Sequence, residues 1–138
     1  MLKITFLMRR LESLSREEFQ TYYRKVHTQV APNATETLGM RRYVQLHALP
    51  EDVNDAFGES RGGEPSFDAV AEIWLDDYEA YERHWNSEEG KEVLQRLLED
   101  EKNFVDWSRS VIMMSKEVVF LDGPSTPGRP PRQTPATP

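Results

Sequence analysis

The sequence predicts an α+β domain of order β-α-β-β-α-β, with four antiparallel strands in one sheet and the helices on one face. Three observations lead there. Four stretches alternate apolar and polar residues with the period of a strand, and between the first pair and the last pair the apolar residues recur at helical spacing. With 38% hydrophobic and 30% charged residues, 138 residues supply one buried core and not two. Two βαβ halves joined by a hairpin close most economically as a single antiparallel sheet.

The first strand runs from Leu2 to Arg9, with Ile4, Phe6 and Met8 on one side and Lys3, Thr5 and Arg9 on the other. Ser15 and Glu18 then form a capping box, in which the serine accepts from the first turn and the glutamate reaches back. Phe19, Tyr22, Tyr23, Val26 and Val30 follow at helical spacing, so the first helix is expected from Ser15 to about Pro32, with Gly39 as a stop. Met40–Leu49 alternates as the second strand. The polar stretch 50–66, with Gly58, Gly62, Gly63 and Pro65, reads as a long loop.

Phe67–Leu75 is the third strand. Asp76 and Asp77 open a helical piece carrying Tyr78, Tyr81 and Trp85, and a second piece from Ser87 carries Val93, Leu94, Leu97 and Leu98. Val111–Leu121 is the fourth strand. Met40, Val44, Leu46, Phe6, Ile112 and Met114 cannot all lie under the helices together with the opposite set Leu7, Tyr43, Ala71, Ile73 and Val111. A second copy packed sheet to sheet would cover the excess, so a homodimer through the sheet face is expected. The folded domain is 1–121. Residues 122–138 hold six of the nine prolines and no large apolar side chain, which predicts a disordered Pro-rich tail whose functional alternative is a ligand for a partner domain.

The charge balance narrows the function. A formal charge of -7 argues against nucleic acid, which needs clustered cations to displace phosphate counterions. The absence of cysteine excludes disulfides, thiolate nucleophiles and cysteine-bound zinc. No apolar run reaches the roughly 18 residues of a membrane span, and the N-terminus lacks signal-peptide character, so the chain reads as cytoplasmic. His27, His47 and His84 are too scattered for a metal site, and neither a phosphate loop nor a nucleophile elbow is present. No metal or organic cofactor is expected. The Glu-rich run 88–101 reads as a solvated helix face.

Among side chains suited to proton transfer, His27 is foremost. It lies one turn after Tyr23, at the edge of the apolar stripe, and an imidazole titrates near neutrality without a cofactor. The plainer reading is a histidine hydrogen-bonded for structure. Asp68, Glu72 and Trp74 share a side of the third strand with Val70, so Asp68 or Glu72 could orient the imidazole or act as acid and base; charged strand residues are otherwise solvated. Tyr22, Tyr23 and Tyr43 offer phenols for a carbonyl or enolate oxygen, against the alternative of packing with the hydroxyl at the core's edge. His47 can face the same pocket as Tyr43, and His84 is surface or rim.

Three stretches together resemble one family. LSREEFQTYYRKVHTQVAP (Leu14–Pro32), FDAVAEIWLDD (Phe67–Asp77) and EDEKNFVDWSRS (Glu99–Ser110) are similar to the helix start, third strand and Asp-Glu-x-x-Phe-x-Asp segment of EthD-domain proteins. The resemblance spans nearly all of residues 1–121. It implies the ferredoxin-like fold of the dimeric α/β-barrel superfamily, which includes small cofactor-free polyketide cyclases, dehydratases, decarboxylases and methylmuconolactone isomerases. His27 falls on the family's helix-one histidine, and Asp68 and Glu72 match its acidic third strand. The expected activity is acid/base chemistry on an aromatic or polyketide-type small molecule, namely dehydration, cyclisation, isomerisation or decarboxylation. His27 would be the proton shuttle, and Phe6, Met8, Tyr23, Tyr43, Trp74, Trp85 and Met114 would line a hydrophobic pocket. Two alternatives remain: a cofactor-free quinone-forming monooxygenase, and a non-catalytic protein that binds a hydrophobic metabolite.

Overall fold

A computed structural model describes residues 1–123; the Pro-rich stretch beyond lies outside the described residues. The strands are β1 (Leu2–Met8), β2 (Arg42–His47), β3 (Ala69–Leu75) and β4 (Val111–Lys116), in the spatial order β2-β3-β1-β4 with every neighbour antiparallel. The helices are α1 (Arg16–Lys25), α2 (Ala34–Thr37), α3 (Glu51–Glu59), α4 (Tyr78–Trp85) and α5 (Glu88–Glu101). The expected α+β, four-stranded ferredoxin-like architecture is therefore present, with its main helices on one face of the sheet. No helix among the described residues is long and apolar enough to cross a membrane.

Ser15 and Glu18 make the expected reciprocal cap. The helix ends at Lys25, about two turns earlier than its apolar spacing suggested. Val26 closes it by donating to the Tyr22 carbonyl, and a 3-10 turn, His27–Gln29, follows. After α2 the chain reverses at Gly39, whose φ of +67° and contact with the His84 ring leave no room for a side chain. The stretch 50–66 is not simply a loop, because α3 occupies its first half. Pro50 precedes the first turn and Glu51 and Asp52 sit where the helix dipole favours negative charge.

β4 stops at Lys116 and does not extend to Leu121. Among the described residues its one sheet neighbour is β1, and Lys116 is paired with Leu2, the first residue of that strand. Phe120 and Leu121 are fully or nearly fully exposed.

The register also sorts the apolar residues differently from the expectation. Ile4, Ile73 and Tyr43 pair across the sheet on the helix-facing side, with Phe6, Ala71, Ile112 and Met114. Val44 and Leu46 pair on the open side with Glu72 and Val70, and Leu7 with Val111. The surplus of apolar surface remains, but its members are Leu7, Val44, Leu46, Val70, Val111 and Met113. Leu46, Val111 and Met113 keep about half of their surface exposed (45%, 49% and 50%).

The helix-facing core divides along the sheet. At one end Phe19, Tyr23 and Phe104 pack on Met8, Ala69 and Ala71; at the other, Leu38, Val93, Met40 and Trp85 pack toward Ile4, Ile73 and Leu75. Phe19 and Phe104 are wholly buried with ring centres 5.4 Å apart, so truncating either to alanine costs about 3–5 kcal/mol. That first cluster is the wall against which the polar site is built.

Candidate active site

His27 reaches the interior because the helix breaks one residue before it. The 3-10 turn swings the ring under α1 toward the last turn of α5, where it is buried against Phe104, with ring centres 5.0 Å apart. Its Nδ1 lies 2.8 Å from Asp100 Oδ2. A carboxylate only accepts, so Nδ1 carries the proton and Nε2 keeps its lone pair. Asp100 is itself held, since the Tyr22 hydroxyl donates to its other oxygen at 2.7 Å and Asn103 at 3.3 Å.

Burial holds the His27 pKa below its ordinary value of 6.5 against the opposing pull of Asp100. Burial tends to raise Asp100, but hydrogen bonds from Tyr22, His27 and Asn103 bring it below the usual carboxylate range. The pair near neutrality is thus a neutral imidazole oriented by a carboxylate. Its free Nε2 faces Glu101 Oε2 at 3.9 Å. Burial pushes Glu101 up to about 7, with the neighbouring Asp100 adding to the rise and the Trp107 indole N–H, 3.1 Å away, opposing it. One base, its pKa lowered, and one carboxylic acid, its pKa raised, therefore stand side by side.

Tyr23 stacks between these groups and the sheet. Its ring centre lies 5.9 Å from that of His27 and 5.8 Å from that of Phe104, and its hydroxyl is 2.7 Å from that of Tyr43 on β2. Burial raises the pKa of both phenols, so both remain protonated. Gln45 and His47 continue the contact along the same side of β2. Proton donors, a proton acceptor and an apolar wall from Phe104, Phe6 and Met8 thus converge beneath one end of the sheet.

Several predicted residues lie elsewhere. Asp68 precedes β3 and turns away from His27, receiving Arg10 Nη1 at 2.6 Å, Arg16 Nε at 2.9 Å and the Arg10 backbone N–H at 2.9 Å. Glu72 projects from the open sheet face, where it pairs with Lys3. Trp74 shares that face, buried beneath Lys3 and Arg42 and donating to Glu117 at 3.1 Å. The two-residue period placed Glu72 and Trp74 together correctly, but on the side away from the helices. Trp85 is in the far core cluster and donates to the Leu38 carbonyl at 3.1 Å. Met114 is on the helix-facing side of the edge strand, half-exposed.

The carboxylate against His27 is Asp100, and the second acid is Glu101. The reading of 88–101 as a wholly solvated face is thus corrected at its last turn. Val93, Leu97 and Glu101 are four apart, so the buried stripe of α5 passes through Glu101, a signal the sequence contained.

A surface cleft of about 680 Å³ opens over Asp68, Arg10, Arg16 and Glu51, and His27 is not among its lining residues. Its guanidinium groups are engaged by Asp68, Ser66 and the Leu49 carbonyl, which makes it a joint between β1, α1 and the 50–66 stretch. Among the described residues no group of three or more His, Asp or Glu is arranged to hold a metal ion.

A comparison with the curated proteins found no match. Among solved structures, an EthD-family protein from Bacillus halodurans superposes with a TM-score of 0.57 at 21% identity, over 86% of this chain and 99% of that one. An EthD-like protein from Ralstonia eutropha gives 0.55 at 18% identity, over 87% and 95%. A dimeric protein of unknown function and ferredoxin-like fold from Bacteroides fragilis gives 0.51 at 9%, over 84% and 95%. At these identities the likeness speaks for the fold. The family model of the EthD domain matches residues 11–108, a span that holds α1, His27, β3 and the Asp100–Trp107 segment, and this chain belongs to the EthD-domain family.

Proposed function

We propose that the protein is a cofactor-independent acid/base enzyme acting on an aromatic or polyketide-type small molecule, with His27 as its proton-transfer group. The reading rests on one observation: the 2.8 Å contact from Nδ1 to Asp100, which leaves the unprotonated Nε2 of a largely buried ring free beside Glu101. Asp100 takes the orienting role that sequence had given to Asp68 or Glu72. His27 abstracts a proton as base and returns it as acid, and Glu101 is placed to relay it. Tyr23, Tyr43, Phe6 and Met8 supply the polar and apolar contacts to substrate. Dehydration, cyclisation, isomerisation and decarboxylation of such substrates all need this single proton shuttle. The half-exposed apolar residues of the open sheet face favour a homodimer through that face.

Turnover of a panel of aromatic and polyketone substrates by the full chain, with and without His27→Ala, tests the assignment. The substitution is expected to lower turnover by about 10²-fold or more while the far-ultraviolet spectrum is unchanged. Undiminished turnover would remove His27 from the chemistry. Oxygen consumption coupled to product would favour the quinone-forming reaction, and stoichiometric binding without turnover would make the protein a carrier.

A further inference from the structure

Four side chains on β2 and α1 form a hydrogen-bonded chain whose direction is fixed at one end. His47 Nε2 lies 2.8 Å from Gln45 Oε1. An amide oxygen only accepts, so His47 carries its proton on Nε2, and its Nδ1 is a buried lone pair with no partner among the described residues. The Gln45 amide nitrogen donates to the Tyr43 hydroxyl at 2.9 Å, and the Tyr43 and Tyr23 oxygens are 2.7 Å apart. Two phenols bring two O–H hydrogens to one O···O contact, so one hydrogen is left over.

Because the Tyr43 oxygen already receives Gln45, the mutually polarising order has Tyr43 donating to Tyr23. The spare hydrogen is then Tyr23's. It belongs to a side chain only 2% exposed, whose ring lies beside that of His27, and a buried donor left without an acceptor is costly unless a ligand supplies one.

We propose that the Tyr23 O–H is the donor for an anionic oxygen on the bound ligand, and that Gln45 and His47 are positioning residues that aim it. The inference deepens the acid/base reading and rests on it for the identity of the base. As His27 Nε2 takes the proton from a carbon beside a carbonyl, the C–H electron pair becomes the C=C bond of an enolate. The carbonyl π pair moves to oxygen, where Tyr23 donates. No oxidant or reductant is needed, and the imidazolium returns the proton. The ligand class is accordingly one with an oxygen that becomes or already is anionic, such as an enolisable ketone or an acidic phenol.

The full-length protein tests this without a known substrate. Nitrogen-15 NMR at neutral pH should show His47 as the Nε2–H tautomer. An Nδ1–H signature would mean that the Gln45 amide is reversed and the chain runs the other way, which overturns the proposal. Nitrophenols of graded acidity serve as probes, their visible absorbance reporting the bound ionisation state. They should bind as phenolates, and Tyr23→Phe should weaken phenolate binding about tenfold or more. Gln45→Leu should lower the phenolate fraction while affinity for the neutral phenol holds, whereas general loosening would weaken both forms. Absence of binding, binding of the neutral form alone, or indifference to Tyr23→Phe would each refute it. Should His27→Ala leave turnover intact, the proton-transfer reading falls, while the tautomer and the phenolate shift still decide the chain of donors.

Discussion

Replacing Glu101 by glutamine separates the ionisation of the site from its packing. In the folded protein burial lifts this carboxyl from 4.5 to about 7. Between those values the native state holds a proton that the unfolded chain has released, so the native state binds more protons and stability falls as pH rises through the window. At about 1.4 kcal/mol per pH unit, the gap amounts to about 3 kcal/mol once the window is crossed. Only 16% of the side chain is exposed, so water screens little of that. Glutamine presents the same carbonyl oxygen to the Trp107 indole and cannot ionise. Urea unfolding of both proteins should therefore give nearly equal stability at about pH 4 and an advantage to Glu101→Gln approaching about 3 kcal/mol at about pH 8. His27 contributes with the opposite sign, because a depressed imidazole loses stability as pH falls below 6.5. The difference between the two proteins cancels that contribution to first order. A difference that stays flat across the window would refute the assignment of a buried, protonated Glu101.

Other perturbations separate structure from chemistry. Asp68→Asn removes the nearest counter-charge of the largely buried Arg16, leaving only the half-exposed Glu51 at 4.0 Å, and a loss of about 3–5 kcal/mol is expected in thermal or urea unfolding; a loss below about 1 kcal/mol would show the joint to be peripheral. The Asp68 pKa is depressed, burial being outweighed by Arg10 and Arg16, so its contribution holds above 3.8 and disappears as pH falls through the lower native value. Leu46→Asp places a charge in the open sheet face without touching the helix side. Sedimentation should show a dimer for the parent chain and a monomer for this variant, and a monomeric parent would dismiss that face as an interface.

The strands and helices were legible because their signals are local. Period-two alternation marked all four strands, the Ser15–Glu18 box marked the start of α1, and family-like segments marked His27 and the stretch around Asp100. α3 was missed because Gly58, Gly62 and Gly63 dominate the composition of 50–66, although the first nine residues after Pro50 satisfy helix geometry. The far end of β4 was overestimated because VVFL has strand character but, among the described residues, no neighbour to pair with.

Sequence by itself determined the order of the elements, the surplus of apolar residues on the sheet, and the presence of one imidazole at the exit of the first helix. It also placed Glu72 and Trp74 on a common side. Which side that was, and which carboxylate met the imidazole, only the tertiary structure decided. A strand's alternation is symmetric between its two faces, so only the packing of α1 and α5 tells inside from outside. The partner of His27 is 73 residues away in the chain, and it is set by where α5 ends over the sheet. Local pattern encodes what each segment is; the proposed proton chemistry depends on long-range distances, and those exist only once the segments have packed.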